Sequence, residues 1–411
     1  MRLTEEEIAI KDGQRGAGAA KAMGILCALG RIADAKEMVA VGSVQVSGVS
    51  YKNIGQYGLA FLEEWASLGC KAVVPAFMNP GGADRKLWER LGIPADFVAN
   101  QKRVQAALEA LGVKPLLSCT PYHAGCTPAY GEHIAWAESS AVCYANSVLG
   151  ARTNREGGPS AIAAALTGRT PKHTLHTDEG RIPTRIIAVR CKVFSLADAG
   201  ALGYMIGKAC ARDKNGGIPF IRGIAPPDGA LRVTWLKALG AAMAASGSVG
   251  LYHVEDATPE AKDHGHDLSR GVQQQSVIES LDDGYAALRT GKGKPELVTL
   301  GCPHASPEDL ARILSLLGGR KVKVPLWIST SQVVREQAEA DGLAGKLKDC
   351  GAEIVADTCM VVAPLKEMGL HTLATDSGKA AFYLPSHHGV SVYYGSTEQC
   401  VEAAATGAWP E

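Results

Sequence analysis

"PELVTLGCPHAS" (Pro295–Ser306) runs from a short apolar stretch into a glycine, a cysteine and a proline, and it decides the fold class. Similar apolar stretches recur to the end of the chain, and segments with helical spacing separate them. These stretches are "VKVPLWIS" (Val322–Ser329), "AEIVAD" (Ala352–Asp357), "LHTLAT" (Leu370–Thr375) and "GVSVYY" (Gly389–Tyr394). Alternating strands and helices are typical of a largely parallel sheet that is covered on both faces. We therefore predict an α/β fold with largely parallel sheets.

The bulk composition excludes several classes of partner. Lys plus Arg and Asp plus Glu number 42 each, so the net charge favours neither nucleic acid nor an anionic membrane. The acidic start "MRLTEEEIAIKDG" is unlike a signal peptide, and there is no apolar run of about 18 residues that could span a bilayer. The eleven cysteines have no regular spacing and no C-x-x-C pair, which is typical of reduced thiols in the cytoplasm.

Three of the cysteines directly follow predicted strands. Cys119 follows "KPLLS", Cys302 follows "ELVTLG" and Cys359 follows "AEIVADT". Ligands of open parallel sheets bind beyond the carboxyl ends of the strands, so these thiols could meet in one crevice. Each thiol could be a nucleophile, a metal ligand or a small core residue. Three converging thiolates would suit an iron–sulfur centre, and they would leave one iron of a cubane open as a Lewis acid.

Several polar residues could bind an anionic ligand, and each has a structural alternative. Gly48, in "GVS" (Gly48–Ser50), lets the backbone approach a ligand, or it belongs to an ordinary strand-to-helix turn. Lys379 opens a helix whose N-terminus favours an anion, or it is an exposed lysine beside a cap. Arg155 offers a bidentate fork, or it pairs with Glu156. His304, beside Cys302, could polarise a substrate or bond a cluster sulfur.

The segment "IAWAESSAVCYANSVLG" (Ile134–Gly150) predicts one long helix. It would place Glu138, Ser139 and Ser140 in the middle of that helix, where a buried cluster of this kind is unusual. Polar packing against a loop is the alternative to a functional role.

Seven ordered blocks spread over nearly the whole chain resemble the large subunit of the aconitase X family. The blocks are "SVQVSGVSYKNIG", "CTPY", "GEHIAWAESSAV", "NSVLGARTNREGGPSA", "LGCPHAS", "DTCMVV" and "TDSGKAAFY". Within the family, "GVSYKNIG" and "GARTNREGGP" are more similar to the branch that dehydrates (R)-5-phosphomevalonate to trans-anhydromevalonate 5-phosphate. The dehydration of cis-3-hydroxy-L-proline is the alternative activity.

The resemblance implies an aconitase-like fold of three α/β lobes around a central crevice. We place the lobes at residues 1–150 (with the GVS loop and Cys119), 151–285 and 286–411 (with Cys302 and Cys359). It also implies a separate small subunit, similar to the swivelling domain of aconitase, which would supply the base, and a small anionic hydroxy-acid substrate. The implied cofactor is an iron–sulfur cluster, [4Fe–4S] with an open iron or a smaller iron centre.

The site residues carried over from the family form three sets. The implied metal ligands are Cys119, Cys302 and Cys359. The implied catalytic residues are Ser139, Ser140 and Lys379. The implied substrate contacts are Gly48, Val49, Ser50, Asn79 and Pro80, to which the chain's own chemistry adds Glu138 and Arg155. The sequence departs from the family pattern at "FMNPGGADR" (Phe77–Arg85) and in the extra thiol Cys126.

Three functions from other classes compete with this interpretation. A cysteine-nucleophile hydrolase would use one of the same thiols on a doubly wound sheet. A nucleotide-binding oxidoreductase is disfavoured, because the chain has neither a G-x-G-x-x-G fingerprint nor a phosphate-binding P-loop. A non-catalytic binding module is the third alternative.

Overall fold

The computed structural model describes residues 1–213 and 216–410 and contains three α/β lobes. No helix in this part of the chain combines the length and the apolar character needed to cross a bilayer. The predicted fold class is confirmed, because the three larger sheets are entirely parallel.

The first lobe is built around a three-stranded sheet in the order β3-β2-β4, with a small antiparallel β1–β5 pair beside it. Its elements are α1 Glu5–Lys11, α2 Ala17–Ile32, β1 Met38–Ala40, β2 Val44–Val46, α3 Tyr51–Ser67, β3 Ala76–Met78, α4 Ala95–Ala110, β4 Ala135–Trp136, α5 Ser139–Tyr144, α6 Gly158–Thr167 and β5 Arg169–Pro171. Helix α5 continues into a π-helical turn over Ala145–Leu149. Helix α6 buries its alanine-rich sequence in the core of this lobe.

The second lobe has a four-stranded sheet in the order β8-β7-β6-β9. Its elements are β6 Arg185–Val189, α7 Leu196–Cys210, β7 Pro219–Arg222, α8 Ala230–Gly247, β8 His253–Val254, α9 Pro259–His264, β9 Gln274–Ile278 and α10 Asp282–Leu288. Helices α7 and α8 pack closely because Gly203 lies against the backbone of Leu239, where a Cβ would approach the carbonyl oxygen to 2.4 Å.

The third lobe has a five-stranded sheet in the order β12-β11-β10-β13-β14. Its elements are β10 Leu297–Leu300, α11 Pro307–Leu317, β11 Leu326–Thr330, α12 Gln332–Ala340, α13 Leu343–Asp349, β12 Ala352–Ala356, β13 Thr372–Thr375, α14 Gly378–His388, β14 Ser391–Tyr394 and α15 Thr397–Thr406. The largest buried apolar cluster joins this lobe to the second and includes Trp235, Leu239 and Leu384.

Two local predictions are wrong. Residues 134–150 do not form one helix, because Ala135–Trp136 is strand β4 and the helix begins only at Ser139. A short apolar run does not distinguish a buried strand from a helix, which explains the error. The predicted strand "KPLLS" is an irregular segment with a single bridge from Lys114 to Phe77, and Leu117 leaves the extended conformation with φ +51°.

Candidate active site

A cavity of about 220 Å³ lies between the first and third lobes and is called the crevice below. A single buried water needs only about 15 Å³, so the crevice has room for a ligand. It lies beyond the carboxyl ends of parallel strands of both lobes, as expected for open sheets. The predicted site residues that line it are Gly48, Asn79, Pro80, Cys119, Glu138, Ser139, Arg155, Cys302, Cys359 and Lys379.

Three predicted residues do not line the crevice but are buried behind it: Val49, Ser50 and Ser140. The Ser50 hydroxyl donates to the carbonyl oxygen of Val362 at 2.8 Å and caps α3 by accepting from the Lys52 amide. Ser50 therefore connects the first lobe to the third. Ser140 contacts the two charged groups described below.

The three predicted thiols, 57 or more residues apart in sequence, face the same crevice. Cys302 enters it through a tight turn at Gly301, whose φ is +82°. A Cβ on Gly301 would come within 2.2 Å of the Ser329 carbonyl oxygen, so only glycine fits this turn. The thiol of Cys119 accepts a hydrogen bond from the His304 amide at 3.3 Å.

Burial raises the pKa of each thiol, and the pKa of Cys359 rises to about 12. Without a metal, these thiols are therefore neutral and weak nucleophiles. Metal coordination would deprotonate them.

The chemistry around the thiols fits an iron–sulfur cluster. The donors are soft, and two residues close to the thiols in sequence have buried hydroxyls without a hydrogen-bond partner: Thr358, next to Cys359, and Tyr122, three residues after Cys119. Such hydroxyls could donate to cluster sulfurs. Among the described residues, no group of three His, Cys, Asp or Glu side chains could hold a single metal ion. Cluster cysteines bind separate irons, so they need not meet at one point.

A buried ion pair forms the polar wall of the crevice. Lys379, at the start of α14, donates to Glu138 at 2.5 Å and to the Ser140 hydroxyl at 3.2 Å. Glu138 also accepts from the hydroxyls of Ser139 (3.0 Å) and Ser140 (2.6 Å) and from the Ala141 amide (2.7 Å). Glu138 is thus the N-cap of α5, which the predicted long helix had concealed.

Both members of this pair are charged. Burial alone would raise the pKa of Glu138, but Lys379 and the hydrogen bonds from Ser140 and Ala141 outweigh it and lower the pKa to about 2. Burial alone would lower the pKa of Lys379, but the charge of the Glu138 carboxylate and its hydrogen bond raise the pKa above its ordinary value. Lys379 is consequently a fixed ammonium group, and Glu138 is a poor base.

Arg155 is an exposed cation at the crevice and makes no ion pair within the described part of the chain. The alternative pairing with Glu156 is wrong, because that carboxylate accepts hydrogen bonds from Ser160 at 2.5 Å and Thr170 at 2.8 Å instead. The buried amide oxygen of Asn79, on the crevice wall, also has no partner. Both groups are available to a ligand.

Sequence reasoning missed some of the crevice lining. Tyr383 and His387 lie four and eight residues after Lys379 on α14, and all three face the crevice. The helical spacing from Lys379 could have found them. Asn53, Val361 and Val362 also line the crevice, but no local pattern marks them.

Comparisons with known proteins give the family. Sequence models of the first, second and third domains of aconitase X match residues 1–179, 183–284 and 295–406. The chain belongs to the aconitase X family. A crystal structure of Thermococcus kodakaraensis aconitase X in its holo-form superimposes with a TM-score of 0.90 at 38% identity and covers 98% of this chain and 100% of that one. The aconitase-like fold is therefore confirmed.

Aconitase X relatives with named activities fall into two groups. The phosphomevalonate dehydratase large subunit of Methanocaldococcus jannaschii is 41% identical over 410 residues, covering 98% of this chain and 100% of that protein. The cis-3-hydroxy-L-proline dehydratase of Pseudomonas aeruginosa is 35% identical over 421 residues, covering 100% of this chain and 71% of that protein. Both named activities are dehydrations, catalysed by hydro-lyases.

Proposed function

We propose that this chain is the large subunit of a cytoplasmic two-subunit hydro-lyase that dehydrates (R)-5-phosphomevalonate to trans-anhydromevalonate 5-phosphate. The observation that carries the proposal is the meeting of Cys119, Cys302 and Cys359 in one crevice beside Glu138 and Lys379. Higher identity to the phosphomevalonate dehydratase large subunits than to the hydroxyproline enzymes supports the substrate and the small-subunit partner. All eleven cysteines lie in the described residues and are unpaired, which supports the cytoplasmic location.

Cys119, Cys302 and Cys359 would hold the cofactor, either a [4Fe–4S] cluster with an open iron or a smaller iron centre. When bound, such a centre supplies a Lewis acid for the departing hydroxyl. The reaction breaks a C–H bond next to the substrate carboxylate and the neighbouring C–OH bond, forms a C=C bond and releases water.

The chain's own residues provide charge stabilisation. The Lys379 ammonium, held by Glu138 and Ser140, can stabilise the negative charge that develops at the carboxylate as the proton leaves. The Ser139 hydroxyl lines the crevice and is oriented by Glu138. Glu138, with a pKa of about 2 and four donors, is unsuited to remove the proton. We therefore assign the base to the small subunit.

The charge balance of the crevice favours phosphomevalonate over hydroxyproline. Lys379 and Glu138 neutralise each other, which leaves Arg155 as an additional cation. A substrate with a phosphate and a carboxylate would use this cation, whereas cis-3-hydroxyproline has an ammonium group that Arg155 would repel. We propose that Arg155 binds the substrate phosphate through its bidentate fork.

The direct test is to purify the chain anaerobically with its small subunit, measure iron and acid-labile sulfide, and supply both substrates. The expected result is bound iron and sulfide and dehydration of phosphomevalonate, followed by mass spectrometry. Turnover of cis-3-hydroxyproline alone would refute the proposed substrate. An iron-free sample with full activity would refute the cluster.

The Arg155→Gln variant tests the phosphate contact. It should raise KM for phosphomevalonate by about 10- to 100-fold, since hydrogen bonds to charged groups contribute about 1.5–3 kcal/mol. Arg152→Gln is the matched control, because Arg152 lies on the same loop but donates to Asp178 and to the His176 carbonyl instead of lining the crevice. Equal KM changes in the two variants would contradict the assignment.

A further inference from the structure

His304 is a fully buried histidine in the loop between β10 and α11, two residues after Cys302. It does not line the crevice, so it cannot polarise a substrate there. Its contacts nevertheless reach the chain segments that carry the other two crevice thiols.

The imidazole ring links two of these segments. Its Nε2 lies 3.2 Å from the carbonyl oxygen of Thr358, the residue before Cys359. A carbonyl oxygen only accepts hydrogen bonds, so Nε2 carries a proton. The other ring nitrogen, Nδ1, forms a hydrogen bond with the Ser118 hydroxyl at 3.2 Å, and Ser118 precedes Cys119.

The backbone of His304 adds two further contacts. Its amide donates to the Cys119 sulfur at 3.3 Å. Its carbonyl oxygen accepts from the buried ammonium group of Lys237, on α8 of the second lobe, at 2.9 Å. All three lobes therefore meet at one residue beside the thiols.

We propose that His304 is a positioning residue that holds the Cys119 and Cys359 segments in register with Cys302, and so fixes the spacing of the three thiols. The inference rests on the proposed iron centre. Residues that orient metal ligands without touching the metal typically change metal affinity about 10- to 100-fold when they are replaced. A histidine that only fills the core would affect stability but not the bound metal.

The test compares His304→Phe with His304→Gln and with a matched control. Phe fills the ring volume but removes both ring hydrogen bonds, whereas Gln can still donate to the Thr358 carbonyl. His253→Phe is the control, because His253 is similarly buried, also bonds a backbone carbonyl, that of Arg181 at 3.1 Å, and like His304 does not line the crevice. Each protein is reconstituted anaerobically with ferrous iron and sulfide.

The readouts are the rate of iron loss to a ferrous chelator and the reduction potential of the centre. We expect iron loss about 10- to 100-fold faster in His304→Phe, a smaller change in His304→Gln and none in His253→Phe. A wild-type rate and potential in His304→Phe, or the same increase in both Phe variants, would refute the positioning role. If His304→Phe does not fold, an unchanged rate and potential in His304→Gln would refute it.

The same measurements separate this inference from the proposed function. Wild-type protein that binds iron but does not dehydrate phosphomevalonate would refute the proposed function and leave the role of His304 intact. Wild-type protein that takes up no iron would refute both.

Discussion

Among the described residues, two buried ion pairs with similar geometry and different surroundings join the first and third lobes. In the crevice, Lys379 of the third lobe contacts Glu138 of the first at 2.5 Å. In a second contact, called the lobe seam below (Asp84 and Arg335), Arg335 of the third lobe contacts Asp84 of the first at 2.6 Å. The side chains of both pairs are at most 8% exposed: Lys379, Glu138, Arg335 and Asp84.

The remaining partners of the two carboxylates differ. Asp84 accepts from the backbone amides of Lys86, Leu87 and Ala356, so its carboxylate is saturated by the chain itself. Glu138 is held mainly by hydroxyls and an ammonium group at the wall of a cavity. This difference supports the proposal that the crevice pair serves a ligand, and we expect the lobe seam to serve assembly.

The largest effect should come from removing one of the three thiols that line the crevice. Cys302→Ala is expected to reduce bound iron and dehydratase activity to background while the thermal midpoint of the metal-free protein changes little. Cys350→Ala is the control, because it is a buried cysteine of the same lobe that does not line the crevice. If the Cys302→Ala variant binds as much iron as the wild type, Cys302 is only a packing residue and not a metal ligand.

Next in size is the effect of removing the crevice cation. Lys379→Met should lower kcat/KM by about 10²–10³-fold, the usual effect of removing one group that stabilises developing charge. It should also destabilise the fold, because Glu138 would keep a buried charge without a partner. Steady-state kinetics and thermal denaturation measure the two effects.

A double variant separates these two effects. Glu138→Gln combined with Lys379→Met removes both charges and should restore much of the thermal stability without restoring activity. Recovery of activity in the double variant would mean that the pair is structural, like the one in the lobe seam.

The lobe seam should show the opposite result. Arg335→Leu leaves the carboxylate of Asp84 buried without its cation and should cost about 3–5 kcal/mol of stability. Activity per bound iron should stay near that of the wild type, because Arg335 does not line the crevice. Asp84→Asn in the same chain should recover part of the lost thermal midpoint. A loss of activity per iron as large as that of Lys379→Met would remove the distinction between the two pairs.

The sequence predicted the crevice better than it predicted the contacts between the lobes. The crevice thiols were predictable because Cys302 and Cys359 follow parallel strands, whose carboxyl ends meet at one edge. Cys119 was placed correctly on the crevice although the strand expected before it is irregular. Strand–helix alternation likewise predicted the third lobe.

The contacts between lobes could not be predicted from local patterns. Glu138 and Lys379 are separated by 241 positions, and Asp84 and Arg335 by 251. Strand and helix periodicities concern residues a few positions apart, so neither predicts such a contact. The N-cap role of Glu138 was missed for a related reason, since the apolar run before it fits a helix as well as a strand.

The smallest effect concerns Asp376, a partly buried aspartate that has, in the part of the chain that the structure describes, neither an ion pair nor a set of backbone donors around its carboxylate. Its carboxylate accepts from the Thr397 hydroxyl at 2.8 Å and has no cation partner in the described structure. Burial, followed by the neighbouring Asp309, raises the pKa of Asp376 from 3.8 to about 6. The folded chain therefore holds this proton more tightly than the unfolded chain, and the free energy of unfolding falls as pH rises from about 4 to about 6.

Asp376→Asn should remove this pH dependence, because an amide keeps the acceptor for Thr397 and carries no charge. The shift of about two pKa units corresponds to about 3 kcal/mol, which is an upper limit because Asp376 and Cys302 both line a cavity of about 50 Å³ that can hold water. The thermal midpoint of the variant should equal that of the wild type near pH 4 and exceed it at pH 7. Thermal denaturation from pH 4 to 8 measures the difference. A difference in thermal midpoint between variant and wild type that stays constant with pH would mean that water solvates Asp376 well enough for it to ionise normally. A carboxylate in this position would then need no cation partner.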